Sequence, residues 1–125
     1  MSKSILVVED DQDLLSIYQE ILEMKGFQVA VAKDGVEGIQ KFIEFNPSLV
    51  IMDVVMPVLD GYGAFYAIKK IDKNANVVII TGFSEFTDIA QADIKNGLIK
   101  VISKPLGVKQ LVELANKYSE IEVEK

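Results

Sequence analysis

The sequence predicts an α/β fold in which a five-stranded parallel sheet carries helices on both faces. Short apolar runs rich in Val and Ile alternate with longer amphipathic segments along the whole chain. Strand–helix units in succession need crossover connections, and such crossovers join parallel strands. A chain of 125 residues, 50% of them apolar, is long enough to bury the two hydrophobic layers that this sheet requires.

The strands are predicted from the short apolar runs. These runs lie near residues 4–8, 27–32, 48–53, 77–81 and 99–103. The second and fifth carry polar or small residues at alternate positions, whereas the other three are continuously apolar. We therefore expect the second and fifth strands at the edges of the sheet, as in the doubly wound order 2-1-3-4-5.

The first helix is predicted over residues 12–25, between the first two strands. Asp11 is expected to cap its amino end, and Gly26 is suited to a left-handed cap at its carboxyl end. Helical periodicity places six apolar residues on one face, namely Leu14, Leu15, Ile17, Tyr18, Ile21 and Leu22.

Four further helices are predicted from the same periodicity. The second covers about 36–45 and the third about 61–71, with Asp60 as a turn residue that starts the third. The fourth follows the cap candidate Ser84, and the fifth carries apolar residues over 108–118. Together with the strands they complete five strand–helix units.

The side-chain chemistry of the chain is limited to carboxylates, lysines and hydroxyls. It contains no Cys, His or Arg, which excludes disulfides, thiolate metal sites, Ser-His catalysis and guanidinium recognition of phosphates. The net charge of -6 disfavours a nucleic-acid backbone as a ligand, so we predict no direct nucleic-acid binding. Without a secretory signal or a long apolar stretch, we expect a cytoplasmic protein with no membrane insertion.

Acidic residues follow two strands that the predicted order places side by side. Glu9, Asp10 and Asp11 follow the first strand, and Asp53 ends the third. The carboxyl ends of these strands form the crevice where doubly wound folds bind ligands. Gathered carboxylates repel one another unless a cation, a helix terminus or solvent relieves them. An oxygen-rich set without His or Cys is suited to a hard cation such as Mg²⁺.

A hydroxyl and an ammonium group are expected at the same edge of the sheet. Thr81 ends the fourth strand, and Lys104 follows the fifth. A carboxylate beside a cation, a hydroxyl and an ammonium group can serve as a phosphoryl acceptor, because phosphoryl transfer needs an aligned nucleophile and charge neutralisation.

Five short motifs fall on these strand ends in order. They are Val7-Val8-Glu9-Asp10, Met52-Asp53, Met56-Pro57-Val58-Leu59-Asp60-Gly61, Thr81-Gly82 and Lys104-Pro105. In this order and spacing they resemble the receiver domain of two-component response regulators, over residues 3 to about 119. The resemblance implies a flavodoxin-like fold, a receiver domain over residues 1–119 and a polar C-terminal tail over residues 120–125.

The resemblance also implies a phosphoacceptor and a set of metal ligands. Asp53 would accept a phosphoryl group from a phosphohistidine on a partner protein. Asp10 and Asp53 would bind Mg²⁺ through their carboxylates, Val55 through its backbone carbonyl and Glu9 through water.

Further residues are implied around the phosphoryl group. Thr81 would donate its hydroxyl to a phosphoryl oxygen, and Lys104, oriented by a cis bond to Pro105, would pair with the group. The chain departs from the family in having Val101 where an aromatic switch residue is common. Two apolar residues, Val55 and Phe83, predict slow self-hydrolysis because neither can orient a water.

The implied function is that of a stand-alone receiver phosphorylated by a sensor histidine kinase or phosphotransfer protein. It would act on a downstream target through a protein-binding face around helix 4, strand 5 and helix 5, or pass the phosphoryl group along a relay. It would be a monomer or weak dimer. It would not be an enzyme, apart from catalysing its own phosphorylation and slow dephosphorylation. Two alternatives stay open, a Mg²⁺-dependent phosphohydrolase with an aspartate nucleophile and a receiver-like binding module that is never phosphorylated.

Overall fold

The computed structural model contains one parallel sheet of five strands with helices on both faces. It describes residues 3–54, 58–81, 88–96, 98–103 and 106–119. The strands are β1 (Ser4–Val8), β2 (Gln28–Ala32), β3 (Leu49–Asp53), β4 (Val77–Thr81) and β5 (Lys100–Ser103). The helices are α1 (Gln12–Met24), α2 (Gly35–Phe45), α3 (Gly61–Ile71), α4 (Asp88–Lys95) and α5 (Val108–Ser119). The strand order β2-β1-β3-β4-β5 confirms the predicted doubly wound topology.

The position of each strand in the sheet follows its sequence pattern. Every residue of β3 and β4 is buried, and β1 is buried from its second residue onwards. In contrast, every residue of β5 is at least partly exposed, and so is every residue of β2 except Ala32. Continuously apolar strands are therefore interior and the alternating ones lie at the edges, as predicted.

The sheet separates two hydrophobic layers. Leu6 and Val8 of β1 face the layer covered by α2 and α3, whereas Ile5 and Val7 face the layer covered by α1 and α5. This alternation follows from the two-residue period of a strand. In the described part of the chain, no helix is long and apolar enough to span a membrane.

Both ends of α1 are capped by the residues that the sequence singled out. The carboxylate of Asp11 accepts hydrogen bonds from the N–H groups of Asp13 and Leu14, at 3.1 and 3.2 Å. At the other end, Gly26 has a φ of +95°. Its N–H donates to the carbonyl of Glu23, and the next N–H donates to Leu22, which is the Schellman arrangement.

The face predicted for α1 needs one correction. Leu15, Tyr18 and Leu22 are buried, but Ile17 is 50% exposed. With 3.6 residues per turn, Ile17 lies roughly 200° around the helix from Leu15, so it cannot share the buried stripe.

The later helices begin and end close to their predicted bounds. Asn46 terminates α2 with a φ of +48°, and Asp60 caps α3 by accepting a hydrogen bond from the N–H of Gly63 at 2.8 Å. The predicted cap Ser84 lies outside the described residues. The hydroxyl of Tyr66 on α3 donates to the carboxylate of Asp93 on α4, and burial together with this bond raises the pKa of Tyr66 to about 12.

Candidate functional site

Three carboxylates meet at the carboxyl edge of the sheet. The parallel register pairs Val8 with Met52, so that the residues after β1 lie beside Asp53. Carboxylate oxygens of Glu9, Asp10 and Asp53 all lie within 4.8 Å of one another. We call these residues the acidic cluster. Of the four acidic residues that the sequence placed at this edge, the structure brings Glu9, Asp10 and Asp53 together. The carboxylate of the fourth, Asp11, caps α1.

The members of the acidic cluster differ in burial. Glu9 is 4% exposed and Asp53 is 5% exposed, whereas Asp10 faces solvent. Burial disfavours the charged form of a carboxyl group, and neighbouring negative charges add to this cost. Hydrogen bonds or a cation can offset that cost.

Backbone N–H groups supply part of this compensation. The N–H of Val54 donates to Oδ1 of Asp53 at 2.9 Å and is shared with the carbonyl of Ile80 at 3.2 Å. The N–H of Asp11 donates to Oε2 of Glu9 at 3.1 Å. These bonds orient both buried carboxylates.

A glycine allows α3 to begin directly against the acidic cluster. A Cβ atom at Gly61 would lie 2.4 Å from the carbonyl oxygen of Asp53 and 2.8 Å from Cα of Val54. The Gly61 N–H also donates to the carbonyl of Val54 at 2.9 Å. The sequence identified Gly61 only as the start of a helix, and nothing in its pattern signals that this close approach positions Asp53.

A buried tyrosine lies near the acidic cluster on the side of α1. Burial raises the pKa of Tyr18, and the charges of Glu9 and Asp53 raise it further. From its apolar spacing the sequence placed Tyr18 in the core, where it is indeed 5% exposed. The effect of the charges of Glu9 and Asp53 on the pKa of Tyr18 depends on the packing of α1 and was not predicted from the sequence.

The loop after β3 contains a strained residue. Val58 has a φ of +71° and is 82% exposed. A β-branched side chain in this conformation costs on the order of 1–2 kcal/mol, and an exposed side chain gains little packing in return. Val58 thus destabilises the loop that joins the acidic cluster to α3.

The other candidate site residues lie at β4 and β5 or outside the described part of the chain. Thr81 is the last residue of β4, is 5% exposed, and pairs in register with Ser103 at the end of β5. Val101 is half-buried and packs on the same layer as Tyr66. Val55, Phe83 and the bond between Lys104 and Pro105 lie outside the described residues.

The donor set of the acidic cluster fits a small hard cation. It provides only carboxylate oxygens, and two of the three groups are buried. Mg²⁺ commonly takes one or two protein carboxylates and completes its shell with water and phosphate oxygens. One exposed and two buried carboxylates at an open edge match that requirement, whereas a closed cage of protein ligands is absent from the described residues.

Comparison with known proteins gives a consistent result. The family model of the response regulator receiver domain matches residues 5–116. The chain is 33% identical over 120 residues to the chemotaxis protein CheY of Thermotoga maritima, covering 95% of this chain and 99% of that protein.

Solved structures show the same similarity. A response regulator receiver domain protein from Clostridium thermocellum superposes with a TM-score of 0.85 at 30% identity, covering 98% of both chains. The response regulator TrrA of Thermotoga maritima, solved in complex with Mg²⁺-BeF, gives a TM-score of 0.78 at 28% identity, covering 93% of this chain and 98% of that one.

Proposed function

This chain belongs to the response regulator receiver domain family, and we propose that it accepts a phosphoryl group on Asp53 in a Mg²⁺-dependent reaction. The observation that carries the proposal is the position of Asp53, which is buried at the end of β3 with its carboxylate within 4.8 Å of those of Glu9 and Asp10. The phosphodonor would be a phosphohistidine on a sensor histidine kinase or phosphotransfer protein.

We propose that the acidic cluster holds the metal ion. Asp10 and Asp53 would bind it through their carboxylates, Glu9 through water and Val55 through its backbone carbonyl. Bound Mg²⁺ would supply positive charge for the phosphoryl oxygens during transfer.

The transfer itself exchanges one bond to phosphorus for another. A carboxylate oxygen of Asp53 forms a P–O bond as the P–N bond of the phosphohistidine breaks, and the imidazole nitrogen keeps the electron pair. The product is an aspartyl phosphate on Asp53 and a free histidine on the partner. Thr81 would donate its hydroxyl to a phosphoryl oxygen, and Lys104 would neutralise another.

We propose a signalling role, in the cytoplasm, in preference to catalytic turnover. A phosphohydrolase with an aspartate nucleophile needs an acid–base group two residues later, and that residue is Val55. The apolar side chains of Val55 and Phe83 would leave the phosphoryl group long-lived, so that a partner protein can respond to it. The output would be a changed protein-binding face or transfer along a relay, by a monomer or weak dimer acting on a downstream target.

The experiment that tests the proposal is phosphorylation by a small acyl phosphate. Wild-type protein is incubated with acetyl phosphate and Mg²⁺, and its intact mass is compared with those of Asp53→Asn and Asp13→Asn. We expect one added phosphoryl group on the wild type and on Asp13→Asn, and none on Asp53→Asn.

Two results would contradict the proposal. An unmodified wild type would exclude Asp53 as an acceptor under these conditions and would favour a binding module that is never phosphorylated. Steady release of phosphate from simple phosphate esters, abolished in Asp53→Asn, would favour the phosphohydrolase.

A further inference from the structure

We propose that the acidic segment 120–125, which follows α5, binds in the same chain across the edge of the sheet where β4 and β5 begin, and that its glutamates pair there with three lysines. The lysines are Lys69, Lys100 and Lys117. This edge lies opposite the acidic cluster, and the proposal does not rest on the proposed function. The segment lies outside the described residues and beyond residues 5–116, which the family model matches.

The carboxyl end of α5 is fixed at this edge of the sheet. The side-chain amide of Asn76, directly before β4, donates a hydrogen bond to the backbone carbonyl of Tyr118. The last carbonyls of a helix have no partner within the helix, so this bond satisfies one of them and anchors the helix end. The chain therefore leaves α5 beside the start of β4.

Lys69 is attached one residue away from that point. Its ammonium group donates to the carbonyl of Ala75, the residue before Asn76, and at 3.4 Å to the carbonyl of Lys73. Because Lys69 and Tyr118 are bonded to adjacent residues, the Lys69 Nζ atom and the Tyr118 carbonyl oxygen lie on the order of 10 Å apart at most. An extended chain rises about 3.3 Å per residue, so the first three residues of the segment can reach Lys69.

The other two lysines lie at the last turn of α5. The Nζ atoms of Lys100 and Lys117 are 4.4 and 5.3 Å from the ring centroid of Tyr118. Lys100 begins β5 and pairs in register with Val78 of β4. Exposed cation–π contacts of this kind stabilise an ammonium group only weakly. The three lysines therefore surround the point at which the segment begins, without a strong partner of their own in the described part of the chain.

The charge at this edge favours an anionic occupant. Among the residues that the structure describes, no carboxylate forms an ion pair with any of the three lysines. Burial lowers the pKa of Lys69 and the charge of Lys100 lowers it further, although Asp72 opposes the shift. Gathered ammonium groups repel one another and attract a negatively charged group that offsets the repulsion.

The segment 120–125 has the matching pattern of charge. Its acidic residues alternate with apolar ones, as Glu120, Ile121, Glu122, Val123 and Glu124. In an extended chain alternate side chains point to the same side, so the three glutamates would share one side. Three carboxylates can then meet three ammonium groups in a single binding mode.

Attachment to α5 favours this segment over a separate peptide or a second copy of the chain. Exposed ion pairs are individually weak, so the local concentration of the anion decides which one binds. A short linker typically gives an effective concentration in the millimolar range, which a separate molecule does not reach at ordinary protein concentrations. The segment would thus compete with other acidic ligands for the three lysines.

The test is paramagnetic broadening of backbone amides in the full-length, isotope-labelled protein. The chain has no Cys, so Lys125→Cys accepts a single nitroxide label. We expect a large loss of amide intensity at Lys69 and Lys100, and a much smaller loss at Met24, which ends α1 in the other hydrophobic layer from α3. Salt at about 1 M, where the screening length is about 3 Å, should remove this difference.

Substitution of the charged groups identifies what holds the segment. The substitutions in the segment, combined in one variant, are Glu120→Gln, Glu122→Gln and Glu124→Gln. We expect this variant to broaden both sides of α5 equally and to lower Tm at low salt by roughly 1–3 °C relative to a matched variant. The matched variant removes the same charge from exposed positions of α1 and α2, through Glu20→Gln, Glu23→Gln and Glu44→Gln. In a Lys100→Gln, Lys117→Gln background, the substitutions in the segment should have little further effect.

Three results would overturn the proposal. Equal broadening at Lys69 and Met24 in the otherwise wild-type protein would show that the segment does not bind this edge. Unequal broadening that persists after all three glutamates are replaced would exclude pairing through their carboxylates. Finally, isotope-labelled protein without the nitroxide can be mixed with unlabelled protein that carries it. Broadening of Lys100 in that mixture would assign the contact to a second copy of the chain.

Discussion

The acidic cluster and a group of three lysines are two gatherings of like charge at opposite ends of the sheet, and they differ in burial. We call these lysines, Lys69, Lys100 and Lys117, the lysine cluster. Glu9 and Asp53 are buried at the carboxyl ends of β1 and β3. Lys100 and Lys117, in contrast, are exposed at the amino end of β5 and the carboxyl end of α5.

The contrast shows that a cluster of like charges needs a ligand to offset its repulsion when the cluster is buried. Water screens the exposed lysines, and the ring of Tyr118 gives them a weak additional contact. Water cannot screen Glu9 and Asp53 to the same degree, and the backbone N–H bond that each accepts offsets part of the cost of burying them. Changes in the acidic cluster should therefore have larger effects than changes in the lysine cluster.

The largest effect is expected for Asp10→Ala. Loss of a direct Mg²⁺ ligand should reduce phosphorylation by acetyl phosphate at least about 100-fold and abolish stabilisation of the fold by Mg²⁺. Without Mg²⁺, removal of one repelling charge should raise the free energy of unfolding by on the order of 1 kcal/mol. Phosphorylation rates and thermal unfolding with Mg²⁺ or a chelator measure these effects, and Asp13→Ala, also on exposed surface nearby, is the matched control. Unchanged phosphorylation of Asp10→Ala would remove Asp10 from the metal site.

Gly61→Ala tests whether the backbone of Asp53 is tightly packed. The new Cβ would lie 2.4 Å from the carbonyl oxygen of Asp53, and the forced shift should cost about 2–4 kcal/mol of unfolding free energy. Gly107→Ala is the matched control, because its Cβ would meet only Oε1 of Gln110 at 3.8 Å. Chemical denaturation of both variants measures the difference. Equal stabilities would show that the start of α3 yields to the added methyl group.

Asp11→Ala should separate the capping carboxylate from the acidic cluster. Loss of the hydrogen bonds to Asp13 and Leu14 should cost about 1 kcal/mol of unfolding free energy. The Mg²⁺ dependence of phosphorylation should stay close to that of the wild type. A large loss of metal affinity would instead assign Asp11 to the metal site.

The smallest effect is expected at the lysine cluster, from the titration of Lys69. Burial, with the charge of Lys100, lowers the pKa of Lys69 below its ordinary value of 10.5. As pH rises towards 10.5, the folded state releases this proton before the unfolded state does, so the unfolding free energy of the wild type should rise relative to Lys69→Met. Denaturation at a series of pH values tests the sign, with Lys25→Met as the control. A wild type that loses stability relative to Lys69→Met over this range would reverse the assignment.

The sequence predicted the fold and the membership of the acidic cluster for the same reason. Buried strands in a parallel sheet are apolar throughout, so the first charged residue after each run marks a strand end, as with Glu9 and Asp53. Contacts between segments that are distant in the sequence produce no such local pattern. The approach of Gly61 to Asp53 and the bond from Tyr66 to Asp93 depend on how α3 packs, which no local pattern encodes. The exposure of Ile17 was missed because the predicted face of α1 was drawn too wide.

The position of Tyr18 has a practical consequence for spectroscopy. The chain contains no tryptophan and four tyrosines, so its near-ultraviolet signal comes mainly from phenol rings. Tyr18 responds to the charges of Glu9 and Asp53, so binding of a cation or addition of a phosphoryl group should alter its absorbance and emission. Comparison with Tyr18→Phe would isolate that contribution. We therefore expect Tyr18 to act as an intrinsic optical reporter, through which occupancy of the site could be followed in real time without a label.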